Sequence, residues 1–472
     1  MDQAALAGFM EQIWEREIVP VLTDYIRIPN KSPAFDPDWR AHGHMDRAVA
    51  LFEAWAREKL KVLPGATLEV VRLENRTPLI FIEVPGKSSG TVLMYGHLDK
   101  QPEMTGWREG LGPWSPVREG DKLYGRGGAD DGYALFAGLS SLLALKAQNI
   151  DHARIVMVIE ACEESGSPDL PVYIDHLSAR IGTPDLVVCL DSGCGNYDQL
   201  WLTTSLRGMV MGELTVRVLT EGVHSGAASG IVPSSFRILR QLLSRIEDET
   251  TGRMNVPALF VDIPQDRKSQ AEAAAKILGD EVWSEMPFAG ATKPMTKSNS
   301  QCILEKTWVP HLAITAMDGY PTPRDGGNVL LPYTTAKLSL RLPPTCDAEA
   351  ARQAVKAMLE KDPPYDSDVT FEAPRGEGGW NAPSLAPWLE AALDKASQTA
   401  FGKPVAFQGE GGSIPFMAML GRKFPKTQFI VTGVLGPHSN AHGPNEFLHI
   451  PMAKKISACI ASILADHALP SR

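Results

Sequence analysis

The stretch that decides the fold runs from Thr91-Val-Leu-Met-Tyr95 through residues 132–150 to Ile155-Val-Met-Val-Ile159. The two short apolar runs are typical of strands that are buried on both faces. Between them, residues 132–150 place leucine and phenylalanine side chains at the spacing of a core-facing helix. A strand, a helix and a second strand in this order predict an α/β catalytic domain with a mainly parallel sheet and helices on both faces.

Two further apolar runs extend this pattern, namely Leu186-Val-Val-Cys-Leu190 and Phe429-Ile-Val-Thr-Gly-Val434. Between them the character of the sequence changes, because Gly212–Val218 and Thr335–Arg341 alternate apolar and polar residues as half-exposed antiparallel strands do. We therefore predict an inserted α+β lid and dimerisation domain, in which one face of the strand 212–218, or an edge of it, is available for pairing with a second copy. The predicted division is 1–206 for the first part of the catalytic domain, 207–374 for the insert and 375–472 for the second part.

Composition limits the possible partners and the compartment. The 472 residues include 46 Lys and Arg against 56 Asp and Glu, a net charge of −10, and this acidic balance argues against binding to nucleic acid or an anionic membrane. The six cysteines contain no Cys-x-x-Cys pair, which favours a reducing compartment. Because the sequence also shows neither a signal-peptide pattern nor a membrane-spanning apolar run, we predict a cytoplasmic protein.

Side chains that bind metals follow all four buried strands. Each motif taken alone also fits an ordinary structural role without metal binding, such as a solvated loop pair, an acidic turn, a helix cap or a Gly/Pro loop. Together they converge, because the carboxyl ends of parallel strands lie at one edge of the sheet. The segments after the four strands contain, in chain order, His97 and Asp99, Glu163 and Glu164, Asp191, and His442. A glycine-rich segment adds Asp130 and Asp131 just before the predicted helix.

The glycine-rich segment Gly125-Arg-Gly-Gly-Ala-Asp-Asp131 is not a phosphate loop, since it has no P-loop lysine and its carboxylates would repel phosphate. Two histidines with three or four carboxylates suit divalent metals, with zinc first and manganese or cobalt as alternatives. The set exceeds one tetrahedral site and predicts two zinc ions per chain that share a bridging carboxylate. The remaining glutamate would act as the base.

These motifs resemble, in order and over nearly the whole chain, those of the dinuclear zinc peptidases. That family includes carnosinase, bacterial dipeptidases, carboxypeptidase G, acetylornithine deacetylase and succinyl-diaminopimelate desuccinylase. The resemblance implies that His97 and Asp191 bind one zinc ion, that Glu164 and His442 bind the other, and that Asp130 bridges the two. It also implies that Asp99 orients His97 and that Glu163 is the general base. The family often has a lysine after the Asp pair, where this chain has Gly132.

The insert also carries family motifs. Gly222-Val-His224-Ser-Gly226 resembles a loop whose histidine reaches into the active site of a neighbouring subunit, which implies a homodimer formed through the insert. Arg341 resembles the arginine that binds the terminal carboxylate of the substrate. The loop that contains Gly411, Gly412 and Ser413 resembles the carnosinase-branch loop around the same end of the substrate. Asn328 is equally compatible with a place in the site and with a role in a turn.

The resemblance favours a dipeptidase that cleaves dipeptides or short peptides with a free C-terminal carboxylate, using a zinc-activated water and Glu163 as general base. Three alternatives stay open. One is an N-acyl-amino-acid deacylase on the same scaffold, and another is a metal-dependent binding protein without catalysis, against which the presence of Glu163 argues. The third is a cysteine hydrolase built on Cys162 or Cys194, for which no suitable histidine motif is present.

Overall fold

The computed structural model of the chain describes residues 1–469. Its α-helices are α1 (Gln3–Ile13), α2 (Val19–Ile26), α3 (Trp39–His42), α4 (His44–Leu60), α5 (Ala134–Ala147), α6 (Leu170–His176), α7 (Ser178–Ile181), α8 (Ser225–Ala228), α9 (Ser235–Ile246), α10 (Gln265–Leu278), α11 (Glu281–Ser284), α12 (Asn299–Thr307), α13 (Ala348–Glu360), α14 (Pro387–Phe401), α15 (Pro415–Lys423) and α16 (Ile450–His467). Its strands are β1 (Thr67–Val71), β2 (Leu79–Val84), β3 (Ser88–His97), β4 (Val117–Glu119), β5 (Lys122–Tyr124), β6 (Ala153–Glu160), β7 (Leu186–Cys189), β8 (Trp201–Leu206), β9 (Gly208–Arg217), β10 (Val223–His224), β11 (His311–Asp318), β12 (Val329–Leu330), β13 (Tyr333–Leu342), β14 (Asp368–Glu372), β15 (Gly376–Glu377), β16 (Trp380–Asn381), β17 (Ala406–Glu410), β18 (Gln428–Val431) and β19 (Phe447–His449).

The central sheet has six strands in the order β1-β2-β6-β3-β7-β18. Strand β3 pairs in parallel with β6 and β7, and β18 pairs in parallel with β7, whereas β2 is antiparallel to both of its neighbours. The predicted mainly parallel α/β sheet is therefore confirmed. Because the two halves of the sheet are joined through β3, its carboxyl end lies in the middle of the sheet edge.

Alternate side chains of each central strand enter separate apolar cores on the two faces of the sheet. On β6, Ile155, Met157 and Ile159 pack into the core beneath α5, whereas Val156 and Val158 pack on the other side together with residues of α6 and α15. Burial on both faces explains why these strands are apolar throughout. It also rigidifies the strand ends that carry the site.

A second sheet has the order β11-β13-β9-β14, with β15 pairing on β9 and every pair antiparallel. Its buried face packs against α9 and α13 and forms a core of its own, with Leu214, Leu338, Ile238 and Val355. The alternating pattern of β9 and β13 thus predicted the half-exposed strands correctly. The predicted free edge of β9 is wrong, because β13 and β14 pair with its two sides. The strands at the two edges of this sheet are β11 and β14.

Residues 265–307 pack away from this second sheet. Helices α10 and α12 lie against each other and against β17, and Ala271, Ala274 and Ile303 belong to the core of the central sheet. The segment 265–307, which lies inside the predicted insert, therefore packs on the core of the central sheet. The domain boundaries at 207 and 374 remain a prediction. No helix within residues 1–469 is both long and apolar enough to cross a membrane.

Candidate metal centre and substrate site

The central sheet edge brings together one triad of metal-binding side chains. His97 is the last residue of β3, and its Nε2 lies 3.3 Å from Oδ1 of Asp130 and 3.7 Å from Oδ1 of Asp191. Asp191 follows β7, which neighbours β3, and Asp130 precedes α5. All three residues are buried, and each offers a ligand atom within 4.8 Å of those of the other two.

A second triad shares Asp130 with the first. Nε2 of His442 lies 3.0 Å from Oδ2 of Asp130 and 3.3 Å from Oε2 of Glu164. Ligand atoms of Asp130, Glu164 and His442 also lie within 4.8 Å of one another. The two oxygens of Asp130 therefore face different triads, and this is the arrangement that a carboxylate bridging two metal ions requires.

The site concentrates carboxylates in a buried space, which shifts their pKa values. Burial and the charge of Asp191 raise the pKa of Glu163 well above its usual value, and burial with the charge of Asp130 does the same for Glu164. Burial alone would raise the pKa of Asp130, but hydrogen bonds with His442 and His97 hold it below its usual range. Such a cluster is unfavourable without a cation, so its chemistry fits bound metal.

The donor set also fits zinc. Each triad offers one imidazole and two carboxylates, the ligand types of zinc sites, and three protein ligands leave a coordination position for water or substrate. The second ring nitrogen of His97 has a partner, as metal-binding imidazoles require. Its Nδ1 lies 3.2 Å from the carbonyl oxygen of Asp99 and 3.5 Å from the Oδ1 carboxylate oxygen of Asp99.

Asp99 has an additional contact that the sequence pattern did not reveal. Its two carboxylate oxygens accept hydrogen bonds from the backbone N–H groups of Glu163 and Glu164, each at 3.0 Å. The single helical turn Glu163–Ser165 that carries the two glutamates is thereby attached to the end of β3. Gln101, also missed, donates from Nε2 to Oε2 of Glu164 at 2.5 Å.

The loop that carries His442 is held by a buried ion pair. Arg126 pairs with Glu446 and also donates to the carbonyl oxygens of His442 and Gly443, at 3.2 and 2.8 Å. His442 has a left-handed backbone, with φ of 64°, a conformation that costs energy outside glycine and persists where contacts enforce it. Arg126 supplies such contacts from the segment that also contains Asp130.

The residues predicted to bind the substrate carboxylate meet around Arg207. The backbone N–H of Arg207 donates to the carbonyl oxygen of Gly412 at 3.0 Å, and its carbonyl oxygen accepts from Oγ of Ser413 at 2.5 Å. Its guanidinium reaches the carbonyl oxygen of Arg341 at 3.4 Å. Sequence reasoning missed Arg207, although its place at the junction of β8 and β9 could have suggested a role.

The predicted loop histidine lies elsewhere. His224 is exposed at the end of β10, which pairs with β12, and the carbonyl oxygen of Asn328 accepts from the N–H of Ser225 at 2.9 Å. Within residues 1–469, no hydrogen bond or ion pair joins His224 to the metal triads. The predicted Asn328 thus accompanies His224 on the insert.

A sheet whose strand ends gather imidazoles and carboxylates, with a second α+β unit attached, is the architecture of a metallopeptidase. The chain belongs to peptidase family M20/M25/M40, whose profile matches residues 93–466. This match confirms the family resemblance of the sequence.

Several relatives are similar over most of the chain. A cysteinylglycine-S-conjugate dipeptidase of Corynebacterium striatum is 24% identical over 412 residues, covering 85% of this chain and 87% of the relative. The human Beta-Ala-His dipeptidase is 24% identical over 400 residues, covering 83% and 78%. Among solved structures, human carnosine dipeptidase 1 matches with a TM-score of 0.80 at 21% identity, covering 99% of both chains. The dipeptidase Dug1p of Saccharomyces cerevisiae matches with a TM-score of 0.78 at 21% identity, covering 100% of this chain and 99% of the other.

Proposed function

We propose that this protein is a metal-dependent dipeptidase that hydrolyses the amide bond of dipeptides or short peptides with a free C-terminal carboxylate. The observation that carries the proposal is the pair of triads that share Asp130, with Glu163 beside them on the same turn as Glu164. The names of the relatives, which include Cys-Gly and Beta-Ala-His dipeptidases, support dipeptides as the substrate class.

The metal ions, when bound, supply Lewis-acid chemistry that acidifies the attacking water and polarises the scissile carbonyl. Glu163 accepts the proton of that water and returns it to the leaving amine. Asp99 positions Glu163 by accepting the hydrogen bond of its backbone N–H.

Arg341, with the Gly411, Gly412 and Ser413 loop, would bind the substrate carboxylate. Burial lowers the pKa of Arg341, but a guanidinium stays charged at neutral pH and pairs well with a carboxylate. Arg207 supports this arrangement, because it connects the loop and the strand of Arg341. The carboxylate would hold the peptide with its amide bond at the metal centre.

Three finer features belong to the same proposal. The centre would hold two zinc ions. His97 and Asp191 would bind one ion, Glu164 and His442 would bind the other, and Asp130 would be a ligand of both. The protein is a cytoplasmic homodimer in which His224 of each insert completes the site of the other chain and stabilises the oxyanion. The edge strand β11 supports pairing of the inserts, since it exposes Ile314 and Met317 to 47% and 50%.

The test is hydrolysis of a dipeptide panel by purified protein that has been treated with chelator and then supplied with zinc. Turnover of Ala-Ala that disappears on chelation and returns with zinc is expected. N-acetyl-alanine in the same assay separates a dipeptidase from an N-acyl-amino-acid deacylase. Preference for N-acetyl-alanine, or dipeptide hydrolysis that chelation leaves intact, would contradict the proposal.

A further inference from the structure

A large cavity adjoins the residues that are proposed to bind the substrate carboxylate. It has a volume of about 1050 Å³ and lies between the segment 282–306 and the beginning of the second sheet. Its apolar wall includes Phe260, Trp283, Met286, Phe288 and Met295. This volume is slightly larger than the range of about 300–1,000 Å³ that small-molecule sites occupy.

A smaller cleft of about 160 Å³ adjoins the cavity. Val282, Met286 and Lys306 line both spaces, and Glu410 lines the smaller one. Glu410 in turn lies against Gly193, where a β-carbon would come within 2.5 Å of its Oε1. Gly193 follows Asp191 by two residues, so Glu410, which lines the smaller cleft, also packs against the segment that carries Asp191.

The charged groups of the cavity wall favour a ligand with a negative charge. Arg207, Arg253, Lys293 and Lys306 line it, and within residues 1–469 none of these four forms an ion pair with a carboxylate. The one lining carboxylate of the described chain, Glu305, is paired with His311 at 2.9 Å.

Arg207 contributes a buried hydrogen-bond donor that a ligand in the cavity could use. The residue is only 5% exposed, and its Nε has no hydrogen-bond partner among residues 1–469. A buried donor without a partner is unfavourable unless a ligand supplies the acceptor. Since Arg207 also contacts Gly412, Ser413 and the strand of Arg341, that acceptor lies at the carboxylate end of the site.

From this geometry, and resting on the proposed function, we propose that the cavity receives the side chain of the C-terminal substrate residue. The residue is one that is large and apolar, such as phenylalanine, tryptophan or leucine. Its α-carboxylate lies at Arg207 and Arg341, and the group attached to the same α-carbon enters the apolar space. One ligand thereby satisfies both the cationic rim and the apolar wall. The enzyme should therefore discriminate by the size of the C-terminal side chain, because the cavity adjoins that end of the substrate.

The test compares kcat/KM of the zinc-loaded full chain for Ala-Ala, Ala-Phe, Ala-Trp and the reversed peptide Phe-Ala. We expect Ala-Phe and Ala-Trp to exceed Ala-Ala by roughly tenfold or more, because even a single methylene in an apolar pocket can give about tenfold discrimination. Phe-Ala should stay near Ala-Ala. Trp283→Ala and Met286→Ala should each lower the ratio of Ala-Trp to Ala-Ala by about tenfold, and Cys302→Trp, which fills the cavity, should do so as well.

Ile277→Ala is the matched control, since Ile277 is an apolar residue of α10 that is 42% exposed and does not line the cavity. It should leave the ratio unchanged. Equal kcat/KM for Ala-Ala and Ala-Trp, a preference for Phe-Ala, or an unchanged ratio in all three cavity variants would overturn this inference while the dipeptidase stands. Failure of the zinc-loaded protein to cleave any of the four peptides would instead overturn the proposed function itself.

Discussion

Arg126 and Glu446 form a buried ion pair although 320 positions of the chain separate them. Oε1 of Glu446 also accepts the backbone N–H of Gly127 at 2.8 Å, and Arg126 donates to two carbonyl oxygens of the loop that carries His442. The pair therefore joins the segment before Asp130 to the loop of His442. These two segments supply ligand atoms to the same triad, so the pair sets their spacing.

Replacing Arg126 should damage both stability and the second triad. Arg126→Met leaves the carboxylate of Glu446 buried without its partner, and we expect a loss of about 3–5 kcal/mol in the free energy of unfolding. The loop of His442 also loses two hydrogen bonds, so zinc affinity should fall by about 10–100-fold. Denaturant titration and zinc competition with a chromogenic chelator measure the two effects.

Arg108→Met is the control for this prediction. Arg108 pairs with Glu119 at 2.7 Å, but both side chains are about half exposed, at 55% and 46%. Exposed ion pairs contribute little to stability because solvent screens them, so this variant should stay close to the wild type. Equal destabilisation by the two substitutions would show that the buried pair has no special role.

Glu163→Gln tests the proposed base. The substitution keeps the volume and removes the proton acceptor, so turnover should fall by roughly 10²–10⁴-fold. Zinc content, measured on the same preparation, should be unchanged because Glu163 is not among the residues of either triad. Glu109→Gln, at an exposed position, is the control and should keep full activity. Undiminished turnover in fully metallated Glu163→Gln protein would remove Glu163 from the reaction.

Asp130→Ala tests the shared ligand. Because Asp130 belongs to both triads, its loss should reduce the content of both zinc ions, whereas Asp191→Ala should mainly affect the ion bound with His97. Elemental analysis of the dialysed proteins gives the stoichiometry, with about two zinc ions per chain expected in the wild type. A fully active wild-type protein with one zinc ion would contradict the bridge.

Mixed dimers test whether His224 acts across the subunit interface. Chains with Glu163→Gln and chains with His224→Ala should each be inactive, and exchange between them should restore activity at one of the two sites of a mixed dimer. That site combines an intact Glu163 from one chain with an intact His224 from the other. Mixed dimers that form and remain inactive would exclude a role for His224 in trans.

Ile314→Lys on β11 should weaken dimerisation, because it places a charge on the edge strand.

Glu160 predicts a dependence of stability on pH. Burial raises its pKa to about 8, while its Oε1 accepts hydrogen bonds from Tyr95 at 2.6 Å and Ser167 at 2.8 Å. Between the unfolded pKa and about 8, the folded chain keeps a proton that the unfolded chain has lost. Stability due to this group is therefore complete at low pH and falls as the pH rises toward 8.

Glu160→Gln keeps an acceptor for Tyr95 and Ser167 but cannot ionise. Its free energy of unfolding relative to the wild type, measured by denaturant titration, should rise between pH 6 and pH 8 by up to about 1.4 kcal/mol per pH unit. Metal-free samples of both proteins are compared at each pH, so that shared effects of the metal ligands cancel. A difference that is constant over this range would mean that Glu160 does not titrate there.

The sequence by itself determined the elements and the chemistry of their ends. Apolar runs predicted β3, β6, β7 and β18, because a strand that is buried on both faces is apolar throughout. Alternation of apolar and polar residues predicted β9 and β13, because such a strand is buried on one face only. The metal-binding side chains could be located for the same reason. A polar residue directly after a buried strand lies at the sheet edge whatever the order of the strands.

Only the tertiary structure decided which of these side chains meet. The two oxygens of Asp130 reach His97 and His442 because strand order and loop closure bring distant segments together, and no local pattern records a neighbour as far along the chain as His442. The same reason explains the error at β9, since alternation shows that one face is exposed but not which strand is at the edge. It also explains why Arg207 was missed, because its burial and its unpartnered Nε arise from packing between β9, α12 and the loop at Gly412.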